Sequence, residues 1–211
     1  MNTGRGAPLL IACALGIERL ALRGGDRSGA AGPVAVIRTG MGPKAARRRV
    51  TEALRHDHLA RDAAVIATGF CAGLAPGMRP GDVVVAEETR DAAGTVTCTD
   101  SGTLATALRA RGLTVHTGAL HGSDHVVRGA ERAALHAGGA LAVDMESPVM
   151  LRSALGLGVR PVAAVRVIVD APDHELVRIG TLRGGISALH VLRAVLPAFF
   201  EWHHSLLLPR R

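Results

Sequence analysis

The feature that most constrains this chain is a repeated alternation. A short, unbroken run of β-branched and small apolar residues meets a glycine, and apolar residues then recur at three- and four-residue spacing. Residues 34–39 (VAVIRT) run into Gly40-Met41-Gly42-Pro43, after which Ala46, Val50, Ala53 and Leu54 mark one face of a helix over 44–56. Pro43 suits a first helical turn, where its missing N–H costs nothing. Residues 8–14, 63–68 and 161–169 (PVAAVRVIV) are further apolar runs, and Gly81-Asp82 turns into another at 83–86. Unbroken apolar runs of this length mark strands covered on both faces. Beyond Arg90 the pattern weakens: a Gly/Thr-rich stretch over 94–102, a short helix, a strand over 115–120, a helix over 130–136, a strand over 140–143 and a helix from about Glu146 to Leu155. Two helical stretches close the chain, around 186–196 and 199–208. Strands alternating with helices predict an α/β fold, a three-layer αβα arrangement around a central mixed, mostly parallel twisted sheet. The 211 residues are expected to form a single domain with a helical C-terminal tail over about 186–211.

Composition removes several classes of function. With 48% hydrophobic and 20% charged residues the chain is not of the disordered type. The early apolar run over 9–15 falls far short of the roughly 20 residues a membrane span needs. Arg5 followed by that run imitates a secretory signal, but the competing assignment, a buried first strand turning into a short helix, is preferred. Cys13, Cys71 and Cys98 are widely separated, so neither a disulfide framework nor a zinc knuckle is expected, in keeping with a cytoplasmic protein. The net charge of +7 is carried almost wholly by arginine, Lys44 being the one lysine. Such a balance attracts phosphate-bearing partners. With no tyrosine and 2% aromatics there is no stacking platform, and specific nucleic-acid binding is not expected.

In a parallel-rich sheet, ligands sit where strands end. The residues just past the expected strands are Glu18, the Gly40-Met41-Gly42 turn, a glycine turn Gly69-Phe70-Cys71-Ala72-Gly73, the sequence Asp144-Met145-Glu146-Ser147, and Asp170. Glycines allow backbone N–H groups to approach a ligand closely. The G-x-G lacks the third glycine of a dinucleotide fingerprint, and no cofactor is expected. Three carboxylates, Glu18, Glu146 and Asp170, would converge; one in a dry cleft can hold a proton near neutrality, while a wetter one stays ionised. Asp144 is expected at a helix start, where acids are favoured.

These segments resemble the nucleoside phosphorylase and nucleosidase superfamily. The resemblance rests on residues 67–74 (ATGFCAGL) followed by Pro80-Gly81-Asp82-Val83-Val84, on Val143-Asp144-Met145-Glu146-Ser147, on Arg166-Val167-Ile168-Val169-Asp170, on Thr39-Gly40-Met41-Gly42 and on residues 13–18, in order over about 8–175. Within it the sequence is most similar to the hopanoid-associated group, which acts on adenosylhopane, through Gly122-Ser123-Asp124, residues 134–142, Asp170-Ala171-Pro172-Asp173 and the basic, leucine-rich end. The resemblance implies cleavage of a purine N-ribosyl bond, releasing adenine. Glu146 would accept hydrogen bonds from the ribose diol, Met145 would wall the sugar, and Asp170 would hydrogen-bond or protonate the purine at N7. Glu18 would position or deprotonate water, with Gly69, Phe70 and Asp124 contacting substrate and Arg38, Gly40 and Gly42 forming an anion site. A homo-oligomer is implied as well. Alternatives are a methylthioadenosine/S-adenosylhomocysteine-type or futalosine-type nucleosidase and, from another class, a non-catalytic binder of adenine nucleosides.

A phosphate nucleophile needs forked cations. This sequence has Ala67 and Phe70 where the phosphorylase branch carries an arginine and a serine, so hydrolysis is favoured over phosphorolysis. Val169 replaces a serine that would support Asp170, predicting a looser acid. His121 and His125 flank Gly122, which argues against a metal pair, and Cys71 is expected to be a small buried filler. The tail over 199–211 holds two of three phenylalanines and the single tryptophan. It is expected to dock as an amphipathic helix; the functional alternative is shallow insertion at the inner face of a membrane, where a lipid-linked substrate would lie.

Overall fold

The computed structural model describes residues 6–56, 60–172 and 182–208, with side chains left out of the description over 182–186. In chain order the elements are β1 (Leu9–Cys13), α1 (Gly16–Arg23), β2 (Val34–Arg38), α2 (Pro43–His56), β3 (Ala64–Gly73), β4 (Val83–Asp91), β5 (Gly94–Thr97), α3 (Ser101–Arg109), β6 (Val115–Gly122), α4 (Ala130–Ala137), β7 (Ala140–Asp144), α5 (Ser147–Leu155), β8 (Val162–Asp170), α6 (Leu182–Ala194) and α7 (Leu196–Ser205). The stretch that imitates a signal sequence forms β1, buried along its whole length between β2 and β3. Among the described residues no helix is long and apolar enough to cross a membrane.

Five of the eight strand pairings are parallel and three antiparallel, so the sheet is mixed and mostly parallel. It is also more closed than a flat central layer. β8 bonds to β3 on one side and β4 on the other, while β7 and β6 join the same two strands, so β3, β7, β6, β4 and β8 form a ring. β1 and β2 extend from β3, and β5 forms a hairpin with β4.

Strand alternation builds the three layers. Leu9, Ile11 and Cys13 point to one core with Ile66, Val165 and helices α1, α3, α6 and α7. Leu10 and Ala12 point to the other, with Val65, Ala164 and helices α2 and α5. The C-terminal tail belongs to the first core: Phe199, Phe200 and Trp202 are fully buried, and the Trp202 indole N–H donates to the Thr99 carbonyl at 2.9 Å. The aromatic side chains of the tail are thus committed to the interior, as docking requires, while residues 209–211 lie outside the described residues. Docking on the protein's own body is what the tail does.

The expected glycine turn over 69–73 is a second correction. These residues continue β3, paired in parallel with β8 up to Cys71↔Ile168 and, past a bulge, Ala72↔Asp170. β7 bonds antiparallel to Ala72 and Gly73. With partners on both sides the chain has no reason to turn. The bulge bends it, and such distortions re-aim residues beside sites. The parallel strands β1, β3 and β8 therefore end on one edge, and β7, running back against β3, delivers Asp144 to the same place.

Candidate active site

At that edge lies a cavity of about 360 Å³. Glu18, Glu146 and Asp170 all line it, together with Phe70, Met145 and Arg132. The convergence expected of the three strand-end carboxylates is present, although they lie on α1, at the start of α5 and at the end of β8.

Glu18 stands in the first turn of α1, where its Oε2 accepts the N–H of Leu15 at 2.7 Å. That bond alone would make it a helix-capping acid. Its Oε1, however, accepts the N–H of Phe70 at 2.8 Å, tying α1 to the bulged end of β3. Burial pushes the Glu18 carboxyl above its usual value, while Arg166 and the backbone donors work against that rise. Glu146 also has its carboxyl raised by burial, with Arg166 and the Gly42 N–H opposing. Its Oε1 accepts that N–H at 2.8 Å, which leaves Oε2 and the remaining lone pairs able to accept from other donors.

Asp170 does not stand loose. The Arg132 guanidinium reaches its Oδ2 at 2.5 Å, so support absent at Val169 arrives from α4 instead. Asp144 caps α5 as expected, its carboxylate accepting the N–H of Ser147 at 3.1 Å. It has a further task, pairing with Nη2 of Arg166 at 2.5 Å. Arg166 is fully buried and its Nε donates to Ser147 Oγ at 2.9 Å. Asp144, Glu146 and Glu18, taken in that order of influence, hold its guanidinium more firmly charged, against the cost of burial.

Gly69 lies beneath this cluster rather than in the cavity. At φ +132°, an added Cβ would meet Oε1 of Glu18 at 2.5 Å and Nη1 of Arg166 at 2.8 Å. Asp124 does not line the cavity; its exposed carboxylate accepts from His125 Nδ1 at 2.7 Å. His125, Val126 and Val127 occupy the wall instead. Arg38 and Gly40 face a different cavity, described below, and Gly42 enters the site only through its N–H to Glu146. An anion site built from these three residues is therefore not part of this cavity. Cys71 is buried, as expected, at the margin of the cavity, and burial pushes its thiol up.

Two arginines that matter here were not singled out from the sequence. Arg166 did carry a signal, a lone cation inside an apolar strand, which a buried position permits only with carboxylate partners. Arg132 carried none, being one arginine on a short amphipathic helix. Among the described residues it is the one arginine lining the cavity, and it is engaged by Asp170.

Residues 27–196 match the family model described as the phosphorylase superfamily. No curated protein matches the chain. Solved structures with the same fold include an S-adenosylhomocysteine nucleosidase from Streptococcus pyogenes in complex with 5-methylthiotubericidin, at TM-score 0.78 and 20% identity, covering 99% of this chain and 100% of that one. A 5'-methylthioadenosine/S-adenosylhomocysteine nucleosidase from Neisseria meningitidis in complex with methylthio-immucillin-A superposes at TM-score 0.72 with 18% identity, covering 94% and 98%. A nucleosidase of the same description from Colwellia psychrerythraea in complex with adenine gives 0.70 and 17%, covering 96% of each chain.

Proposed function

The chain belongs to the phosphorylase superfamily, and on that footing we propose that it hydrolyses the N-ribosyl bond of a purine nucleoside. The observation that carries this is one cavity lined by Glu18, Glu146 and Asp170 with an apolar wall between them. Glu146, anchored by Gly42, accepts from the ribose hydroxyls and fixes the sugar. Asp170, in its protonated form, passes that proton to the purine at N7 so that the base leaves neutral, and Arg132 beside it stabilises the carboxylate that remains. Glu18 takes a proton from the water that attacks the anomeric carbon. Its raised affinity for protons makes it a better base once ionised. Acid–base help of this kind is worth about 10² to 10⁴ in rate.

Water is favoured over phosphate because the one arginine lining the cavity is already paired, whereas a phosphate nucleophile needs forked donors of its own. Met41 and Val126, both exposed at the mouth, suit an apolar 5′ substituent. The methylthio and S-adenosylhomocysteine-type nucleosides of the structural relatives and adenosylhopane are the substrates this favours.

The test is adenine release from methylthioadenosine and from adenosylhopane, with and without added phosphate. Phosphate-independent release that Asp170→Asn abolishes is expected. Release that requires phosphate would overturn the hydrolytic mechanism, and binding without any release would leave a nucleoside-binding protein.

A further inference from the structure

A second cavity, of about 660 Å³, opens between α1, β2 and the start of α2. Five arginines from these elements line it: Arg19 and Arg23 from α1, Arg38 from β2, and Arg48 and Arg49 from α2. No carboxylate is among its described lining residues. Arg48 and Arg49 share a single exposed acid, Glu52, whose screening offsets little. Among the described residues Arg19, Arg23 and Arg38 have no ion pair, and Nε of Arg19 is buried without a hydrogen-bond partner. Gathering like charges around one hollow is unfavourable unless a ligand of opposite sign answers them. Guanidinium forks match phosphate oxygens two at a time.

We propose that this cleft is a binding site for clustered phosphates, a ligand carrying two or more adjacent phosphate groups. One phosphate would leave most of the five cations unanswered. The site is separate from the nucleoside cavity. Leu15 and Met41 face that cavity while their chain neighbours Gly16 and Gly40 face the cleft, so two short backbone segments form the wall between them. The phosphates are those of a free oligophosphate or of anionic lipid headgroups. The second source has a structural counterpart, since exposed Leu20 lines both the cleft and an apolar groove with Ile17 and Leu189.

The test uses the whole chain and reads binding directly, so it does not depend on nucleosidase activity. Tripolyphosphate is titrated calorimetrically at low salt, and vesicles of phosphatidylcholine with and without phosphatidic acid are tested by flotation. An Arg19→Gln/Arg38→Gln variant is expected to bind about tenfold or more weakly, as losing charge-assisted bonds does. Arg55→Gln/Arg109→Gln, with the same charge loss on exposed positions away from the cleft, is expected to bind as the unaltered protein does. Arg38→Gln alone serves if the double variant does not fold. Selective loss with tripolyphosphate assigns a soluble oligophosphate, and selective loss with acidic vesicles alone assigns headgroups. Equal loss in both double variants, or no binding of either probe, overturns the proposal.

Discussion

Gly69 lies opposite Arg166 in the β3–β8 register, and the volume where its side chain would be is filled by the Arg166 guanidinium and the Glu18 carboxylate. The glycine is therefore the floor on which a buried ion cluster is packed. Its positive φ adds a second reason for the residue, since other side chains adopt that backbone only with strain.

Gly69→Ala should accordingly lower stability by roughly 1–3 kcal/mol and displace Glu18. Denaturant unfolding measures the first effect, and adenine release measures the second. An alanine variant as stable and as active as the parent would show that the cluster can shift at no cost.

The carboxylates were legible in the sequence because strand ends in a parallel-rich sheet meet at one edge, whatever the details of winding. Glu18, Glu146 and Asp170 needed only that rule. The bulge at Cys71 and Ala72 was not legible, because glycines next to a strand read equally as a turn or as its continuation until the pairing partners are known. Arg132 was hidden for a different reason. Its role depends on α4 packing against β7 and presenting one side chain toward β8, a tertiary fact with no local mark. The docking expected of the tail could not be decided from its residues alone: aromatic residues at a chain end serve equally to insert into lipid or to fill a core, and only packing decides.

Trp202 tests that decision. It is fully buried and bonded to Thr99, so Trp202→Ala should cost about 3–5 kcal/mol, as large core truncations do. Association with acidic vesicles at equal folded concentration should not change. A variant with unaltered melting temperature but lost vesicle binding would restore the tail as a membrane element.

The raised carboxyls of Glu18 and Glu146 make a prediction about pH. Between the ordinary glutamate value and the raised folded one, the folded protein holds protons that the unfolded chain has released. Unfolding free energy contributed by these groups therefore falls as pH rises across that interval and is level above it. Asp91 and Glu201, whose carboxyls are lowered, act in the opposite direction, so the comparison must be a difference. Stability of the parent minus that of Glu146→Gln, measured by urea unfolding from about pH 4 to pH 8, should decline with rising pH. A flat or rising difference would mean that burial does not govern Glu146.

Arg166 joins stability to catalysis. Asp144, Glu146 and Glu18 all surround its guanidinium, which also donates through Nε to Ser147. Arg166→Met removes the cation and leaves buried carboxylates uncompensated, which should cost roughly 3–5 kcal/mol. Arg166→Lys retains a charge, but a single ammonium cannot serve Ser147 and Asp144 as the fork does, so an intermediate loss is expected. The kinetic consequence separates a role in positioning and charging Glu18 from simple packing. Arg166 holds the Glu18 carboxyl down against burial, and Glu18 acts as a base only when ionised. In folded Arg166→Lys, any weakening of that influence moves the acidic limb of the rate–pH profile toward higher pH. A variant that loses stability but keeps the limb where it was would confine Arg166 to holding the fold.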